Sequence, residues 1–290
     1  MRKALLILVI CLFAALPLLA ETAAGYAAAG KAALDEDEHQ KAAELFEKAI
    51  ALESRNAQHH YQLGIAYGEL ARKANVLKQA SLAKKTKAAF EKAVELDPKH
   101  IDARFALISY YLLAPGFMGG GADKALAQAA EIRKLDALDG HRAYARVYMN
   151  QKKNDLARKE YVDAVREQPK SAKAHYYLGN FYLNEKNWAA ALHEFDMALQ
   201  LDPAFMPAYL GVARHAGRAA QNYARGEEAA RKYLAYKPAD DEPGHAAAWY
   251  ALGQIQEKQG RKVDARASYR NALKLAPGDE TVTEALKRVS

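Results

Sequence analysis

Apolar residues along this chain recur at intervals of three and four, stop at short polar breaks, and resume, over most of its length. Residues 172–205 show the pattern most fully. His175, Leu178, Gly179 and Tyr182 share one face of a predicted helix, and after the break at Asn184, Lys186 and Asn187 a second apolar stripe follows in Ala191, Leu192, Phe195, Ala198 and Leu199. Gly179, Ala191 and Ala198 are small enough to let the two helices approach closely, and Tyr182 and Phe195 fill the space beside them. Asp202 and Pro203 stop the second helix, because the residue before a proline is pushed out of the helical region. One hairpin of this kind cannot bury its own stripes, so it has to stack on others.

The spacing of His175, Leu178, Gly179, Tyr182, Ala191, Phe195 and Pro203 matches the pattern W-x2-L-G-x2-Y…A-x3-F…P, with histidine in the tryptophan slot, and so resembles a tetratricopeptide repeat. The same phase laid on the chain gives seven units at 23–56, 57–100, 101–137, 138–171, 172–205, 206–240 and 246–279, within a solenoid over 21–290. The first keeps Tyr26 and Gly30 and then Ala42, Phe46, Ala49 and Leu52; the seventh has Trp249, Leu252, Gly253, Ala265, Tyr269, Ala272 and Pro277. The second, marked by His60, Leu63, Gly64 and Tyr67, is too long, and its excess at 72–87 reads as extension of both helices with a basic turn. The third carries an insertion at 114–121. Residues 280–290 place Val282, Ala285, Leu286 and Val289 on one face and read as a capping helix, which keeps the last apolar stripe from water. The resemblance implies an all-α fold, a right-handed superhelical solenoid of helix-turn-helix repeats with a C-terminal capping helix.

Residues 1–20 begin with the basic Arg2 and Lys3, run apolar from 4 to 20, and end on a small residue before Glu21. That order reads as a secretory signal peptide cut after Ala20, and the expected location is the periplasm. The run is nearly long enough to span a bilayer when tilted, so an inner-membrane anchor facing the periplasm is the alternative. Cys11 is the one cysteine and lies in this run; Ile10 before it departs from the small residue that lipoprotein signals carry there. The rest of the chain then has no disulfide to form and suits an oxidising compartment. Without Arg2 and Lys3 the 42 basic residues become 40 against 35 acidic ones, a balance of +5 that is no nucleic-acid signature.

The resemblance implies a concave groove that binds a protein or peptide. By phase, the open face of each first helix selects Arg142, Arg146 and Met149; Lys173, Tyr176, Asn180 and Leu183; Leu210, Arg214 and Arg218; and Tyr250 and Gln254, with Tyr61, Ile65, Phe105 and Ser109 from earlier units. Of these, Arg142, Arg146, Lys173, Tyr176, Asn180, Arg214, Arg218, Tyr250 and Gln254 are the candidate partner-binding set. Arginine holds carboxylates bidentately, tyrosine adds rigid contact with a polar tip, and asparagine can pair with an extended backbone. Carboxylate-clamp members of the family use Lys, Asn and Arg in this way, but here only Lys173 and Asn180 fall at similar places.

Other features are weaker. Gly119, Gly120 and Gly121 before Lys124 lack the preceding strand and the following Ser or Thr of a phosphate-binding loop, and read as a flexible turn opening a helix at Asp123; Phe117 and Met118 within it could touch a partner. His60, His141 and His175 are spaced by whole repeats, which favours packing over a metal site. There is no GxSxG and no nucleophilic cysteine, so neither catalysis nor a cofactor is expected. The sequence therefore predicts a non-catalytic periplasmic scaffold or adaptor, without cofactor or metal, binding an acidic protein segment, possible roles including envelope-complex assembly. The alternatives are a module for an anionic glycan or polymer and, third, an accessory subunit of an enzyme.

Overall fold

The computed structural model describes residues 22–239 and 242–290. The expected signal segment and the Asp240–Asp241 pair lie outside the described residues. Among the described residues there are fifteen α-helices, one 3-10 turn and no strand, so the fold class is all-α, a solenoid of stacked hairpins. No described helix is long and apolar enough to cross a membrane. The chain forms two compact units, divided between Gln151 and Lys152, a point inside the fourth sequence repeat that no shift in composition marks.

The first unit contains α1 (Ala23–Asp35), α2 (His39–Leu52), α3 (Ala57–Lys73), α4 (Val76–Leu96), α5 (Ile101–Leu113), α6 (Ala122–Leu135) and α7 (Ala137–Asn150). The second contains α8 (Asn154–Glu167), α9 (Ala172–Asn184), α10 (Trp188–Leu201), α11 (Met206–Ala219), α12 (Tyr223–Leu234), α13 (His245–Lys258), α14 (Lys262–Leu275) and α15 (Glu280–Arg288). Starts are set by side chains that accept from otherwise unpaired backbone amides: Asn56, Asn75, Asp136, Ser171, Asn187 and Asp279 all cap in this way.

Within a hairpin, a glycine of the first helix lies flat against an aromatic ring of the second. A Cβ on Gly64 would stand 2.4 Å from Phe90, and one on Gly253 would stand 2.5 Å from Tyr269. Between hairpins, tyrosine hydroxyls reach carboxylates on neighbouring helices: Tyr111 donates to Glu91 at 3.2 Å, and Tyr67 donates to Glu47. Burial and that carboxylate push the Tyr111 hydroxyl up to about 12. In four of the first helices the fourth residue forms another tie. His60 and His175 donate to the carbonyls of Ser54 and Pro169, Arg104 to Pro98 and Tyr209 to Pro203, each bond reaching back six residues into the preceding turn.

The excess in the second repeat is helix: α3 ends at Lys73, α4 begins at Val76 and runs 21 residues, and only two residues turn between them. The glycine-rich insertion is tied down at several points. Tyr110 Oη donates to Met118 O at 3.0 Å, Gly121 N donates to Tyr111 O at 2.9 Å, and Lys124 Nζ donates to Gly119 O at 2.9 Å. A Cβ at Gly120 would fall 1.7 Å from the Ala114 carbonyl oxygen, so only glycine fits. The lysine holds its own loop, and the helix that follows opens at Ala122. At the C-terminus, Val282, Ala285 and Val289 pack against Ala265, Tyr269 and Ala272, so α15 covers α14.

Candidate functional site

In the second unit, α11 and α13 lie side by side because small residues meet between them. A Cβ on Gly217 would stand 2.9 Å from the Gln254 Cβ and 3.4 Å from the Ala251 carbonyl. Arg214 and Arg218 are one turn apart on α11, and Tyr250 and Gln254 one turn apart on α13. The close approach brings all four to the wall of one cleft of about 390 Å³, whose far side is Pro243, Gly244 and the start of α15. Arg218 and Gln254 also border a second hollow of about 580 Å³, with Asn184, Lys186, Lys258 and Arg288 around it.

The charges in this region are unevenly matched. Arg214 makes no hydrogen bond or ion pair with any described residue, while Arg218 Nη1 donates only to the neutral Asn184 Oδ1 at 3.0 Å. Burial pulls the Arg218 guanidinium below its ordinary value, and the like charge of Arg214 adds to the effect. Two of the carboxylates nearby are committed elsewhere. Asp279 Oδ1 accepts from Val282 N at 3.1 Å as the cap of α15. Glu257 accepts from Tyr269 Oη at 2.6 Å and from Arg288 Nε at 3.0 Å. Burial would raise the Glu257 carboxyl, but the bonds from Arg288 and Tyr269 outweigh it and hold the group below the usual carboxylate range. Gln254 Nε2 donates to Tyr250 Oη at 3.1 Å, which fixes both side chains on the wall. The cleft thus gathers two guanidinium groups, a phenol and an amide, with Asp279 at its border, and among the described residues no carboxylate forms an ion pair with either arginine.

Four of the nine sequence candidates thus meet. Lys173 and Asn180 belong to the same unit on α9, where Lys173 Nζ lies 5.8 Å from the Tyr177 ring and Asn180 Nδ2 donates to Tyr176 O at 2.9 Å. Arg142 and Arg146 belong to the first unit. Arg142 pairs with Asp139 at 3.2 Å and lies 4.2 Å over the Phe105 ring, and Arg146 is exposed with an interaction of its own.

Tyr176, Leu183, Leu210 and Phe105 do not stand on an open face. Tyr176 packs edge-on to Phe205 at 5.5 Å and near Phe195, and Leu183 and Leu210 are in the same core. Phe105 lies in the core of the first unit, with Tyr61 and Ile65 packed against it. The physical reason is that first helices of successive repeats touch each other, α9 with α11 and α11 with α13, and these positions are taken up by that contact.

Phase reasoning missed Asn184, Lys186, Lys258 and Arg288. Lys258 continues the Tyr250–Gln254 row by one turn, a signal that was present; Arg288 sits on the capping helix, where the pattern reads only its apolar face. The histidines are dispersed: His175 Nδ1 contacts Glu194 at 2.6 Å, and His141 contacts Arg133 at 2.9 Å. Among the described residues no group of three or more His, Cys, Asp and Glu gathers as a metal site.

Residues 142–204 match one tetratricopeptide repeat profile, and residues 246–279 match another. No curated protein is detectably similar in sequence. A tetratricopeptide repeat protein from Parabacteroides merdae has a similar structure, with a TM-score of 0.54 and 16% identity over 91% of this chain and 97% of that one. Yeast Tom70 is similar at a TM-score of 0.54 and 17% identity, covering 88% of this chain. Human IFIT1, in a dimer with m7Gppp-AAAA, is similar at 0.57 and 21%, covering 86%. This chain spans 58% of the length of each of the last two. The two matched segments are thus similar to tetratricopeptide repeats, and the solved structures share the fold of the chain.

Proposed function

We propose that this chain is a non-catalytic scaffold that binds an acidic segment of a partner protein in the cleft between α11 and α13. Tetratricopeptide repeats generally mediate protein–protein interaction, and the observation that carries the finer reading is the pair Arg214 and Arg218, one turn apart on the cleft wall and without an ion-pair partner among the described residues. A carboxylate entering there relieves the repulsion between the two guanidinium groups and takes charge-assisted hydrogen bonds worth about 1.5–3 kcal/mol each. Tyr250 supplies flat contact area beside them. Lys173 and Asn180 on α9 extend the surface, and Arg142 and Arg146 are a second basic surface in the other unit. The N-terminal basic, apolar and small order supports a periplasmic scaffold, with envelope-complex assembly as its setting.

The test is a crosslinking pull-down from envelope extract with the native chain, an Arg214→Glu/Arg218→Glu variant and an Arg142→Glu/Arg146→Glu variant, all checked for equal helicity. Recovery of one protein by the native chain and by the second variant, with loss in the first, is the expected result. Equal recovery by all three would remove the cleft from consideration. Capture of an anionic polysaccharide that washes off in moderate salt would assign the arginines to a polymer instead. The intact mass of the recovered chain reads its location: a start at Glu21 is expected, and retention of the first twenty residues favours the anchored alternative.

A further inference from the structure

The first unit carries a feature that its repeats do not need. Residues 75–81, the cap and first turns of α4, are exposed at every position, because α4 packs only from Leu82 and Ala83 onward. At this unsupported end Val76 is 82% exposed and Leu77 89%. Consecutive helices reverse direction, so the turn between α5 and α6 lies on the same edge as the turn between α3 and α4; Lys87 Nζ of α4 stands within 3.5 Å of where a Gly119 Cβ would be. That second turn adds Leu113 at 81% exposure and Phe117 at 89%. These are four of the five most exposed large apolar residues among those described, the other being Val263.

The same edge is basic. From Arg72 to Lys87 there are six cations and no Asp or Glu. Arg72 pairs with Glu69, Lys73 with Asp37 and Lys87 with Glu91, and Lys85 lies 4.9 Å from the Tyr67 ring. Lys78 and Lys84 have no ion-pair partner among the described residues. The free-standing helix end from Val76 to Ser81 is about 9 Å long, comparable with the depth to which interfacial helices bury their apolar faces. Lys84 and Lys85 follow about 12–14 Å behind the tip, where lysine can reach headgroups while its stem stays apolar.

We propose that this edge docks on an anionic phospholipid surface, with Val76 and Leu77 at the tip entering the acyl boundary, Phe117 set back on the same edge near the headgroups, and Lys78, Lys84 and Lys85 at the phosphates. A soluble polyanion would use the lysines but leave Val76 and Leu77 in water, and an apolar protein groove would leave the lysines without counter-charges. This surface belongs to the first unit and is independent of the arginine cleft.

The experiment uses the full chain carrying Leu77→Trp, with the parent chain subtracted for Trp188 and Trp249, and vesicles whose brominated acyl chains quench nearby tryptophan. Vesicles of mixed phosphatidylglycerol and phosphatidylcholine are compared with phosphatidylcholine alone. Leu52→Trp, at the end of α2 on the opposite edge, is the control, and the apolar run at 4–20 is common to both. Quenching at 77 but not at 52, on the anionic vesicles only, is the expected result. Adding Lys78→Glu, Lys84→Glu and Lys85→Glu should weaken it by on the order of a hundredfold, at about fivefold per lysine. Equal quenching at 52 and 77, quenching on neutral vesicles, an unchanged triple variant, or sedimentation with anionic vesicles without quenching at 77 would each overturn the proposal. The last of these would mean that the chain adsorbs by charge, or through the run at 4–20, without inserting this edge.

Discussion

Phe195 is fully buried between the first helices of two successive repeats. A Cβ on Gly179 of α9 would stand 2.7 Å from its Cε1, and a Cβ on Gly211 of α11 would stand 2.5 Å from the same atom. The ring is therefore held from both sides by bare backbone. Gly179→Ala should destabilise the second unit by about 1–3 kcal/mol, the range for overpacking, and Phe195→Ala by about 3–5 kcal/mol through the cavity it leaves. The double variant should cost less than the sum, because the added methyl then meets a void rather than a ring. Urea unfolding midpoints of the four chains measure this; strict additivity would mean that the clash is absorbed elsewhere. Gly179 and Phe195 were legible in the sequence because a helix spacing of three and four fixes which residues share a face within one hairpin. Tyr176 was not. Its position faces the next repeat's first helix, and that contact depends on how hairpins stack, which the period of a single hairpin does not contain.

Helix α11 holds a buried histidine whose pKa burial lowers. His215 is fully buried, its Nε2 donates to the Trp188 carbonyl at 3.1 Å, and its Nδ1 has no partner. Burial pushes its pKa down and the nearby Arg225 adds to this, while the Trp188 carbonyl and Asp196 act the other way. Above the ordinary histidine value of about 6.5 both the folded and unfolded chains hold a neutral ring. As pH falls below it the unfolded chain takes up the proton first, so stability drops until the folded ring protonates too. His215→Gln keeps a donor for the Trp188 carbonyl but cannot titrate. Its melting temperature should fall less than that of the native chain between about pH 8 and about pH 5, and parallel curves would exclude His215 as the source. At this scale the sequence was informative about where elements begin and end, since prolines, asparagines and glycines mark them. The extension of α4 and the tied-down loop at 114–121 needed more than pattern. A basic, alanine-rich stretch can be helix or turn, and the carbonyl that excludes every side chain at Gly120 comes from six residues away.

Neither the repeat phase nor the composition marks the division of the molecule at Gln151 and Lys152. Each hydrophobic cluster lies wholly within one unit: those around Phe46 and Phe105 in the first, those around Phe195 and Tyr269 in the second. In a stack of repeats, stability is a sum of local terms and contacts between neighbours, so damage spreads only as far as the packing is continuous. Gly179→Ala perturbs a ring shared by α9, α10 and α11, whose core continues through Tyr233 to Leu252. Amide hydrogen exchange of that variant should therefore show lost protection over α9 to α13, while α1 to α6 keep their native rates, because no cluster joins them to the altered ring. Uniform loss over both units would show that the chain opens as one cooperative body. The Arg214–Arg218 cleft would then depend on packing throughout the chain, and a weakening of partner binding by substitutions in the first unit would no longer locate a contact there.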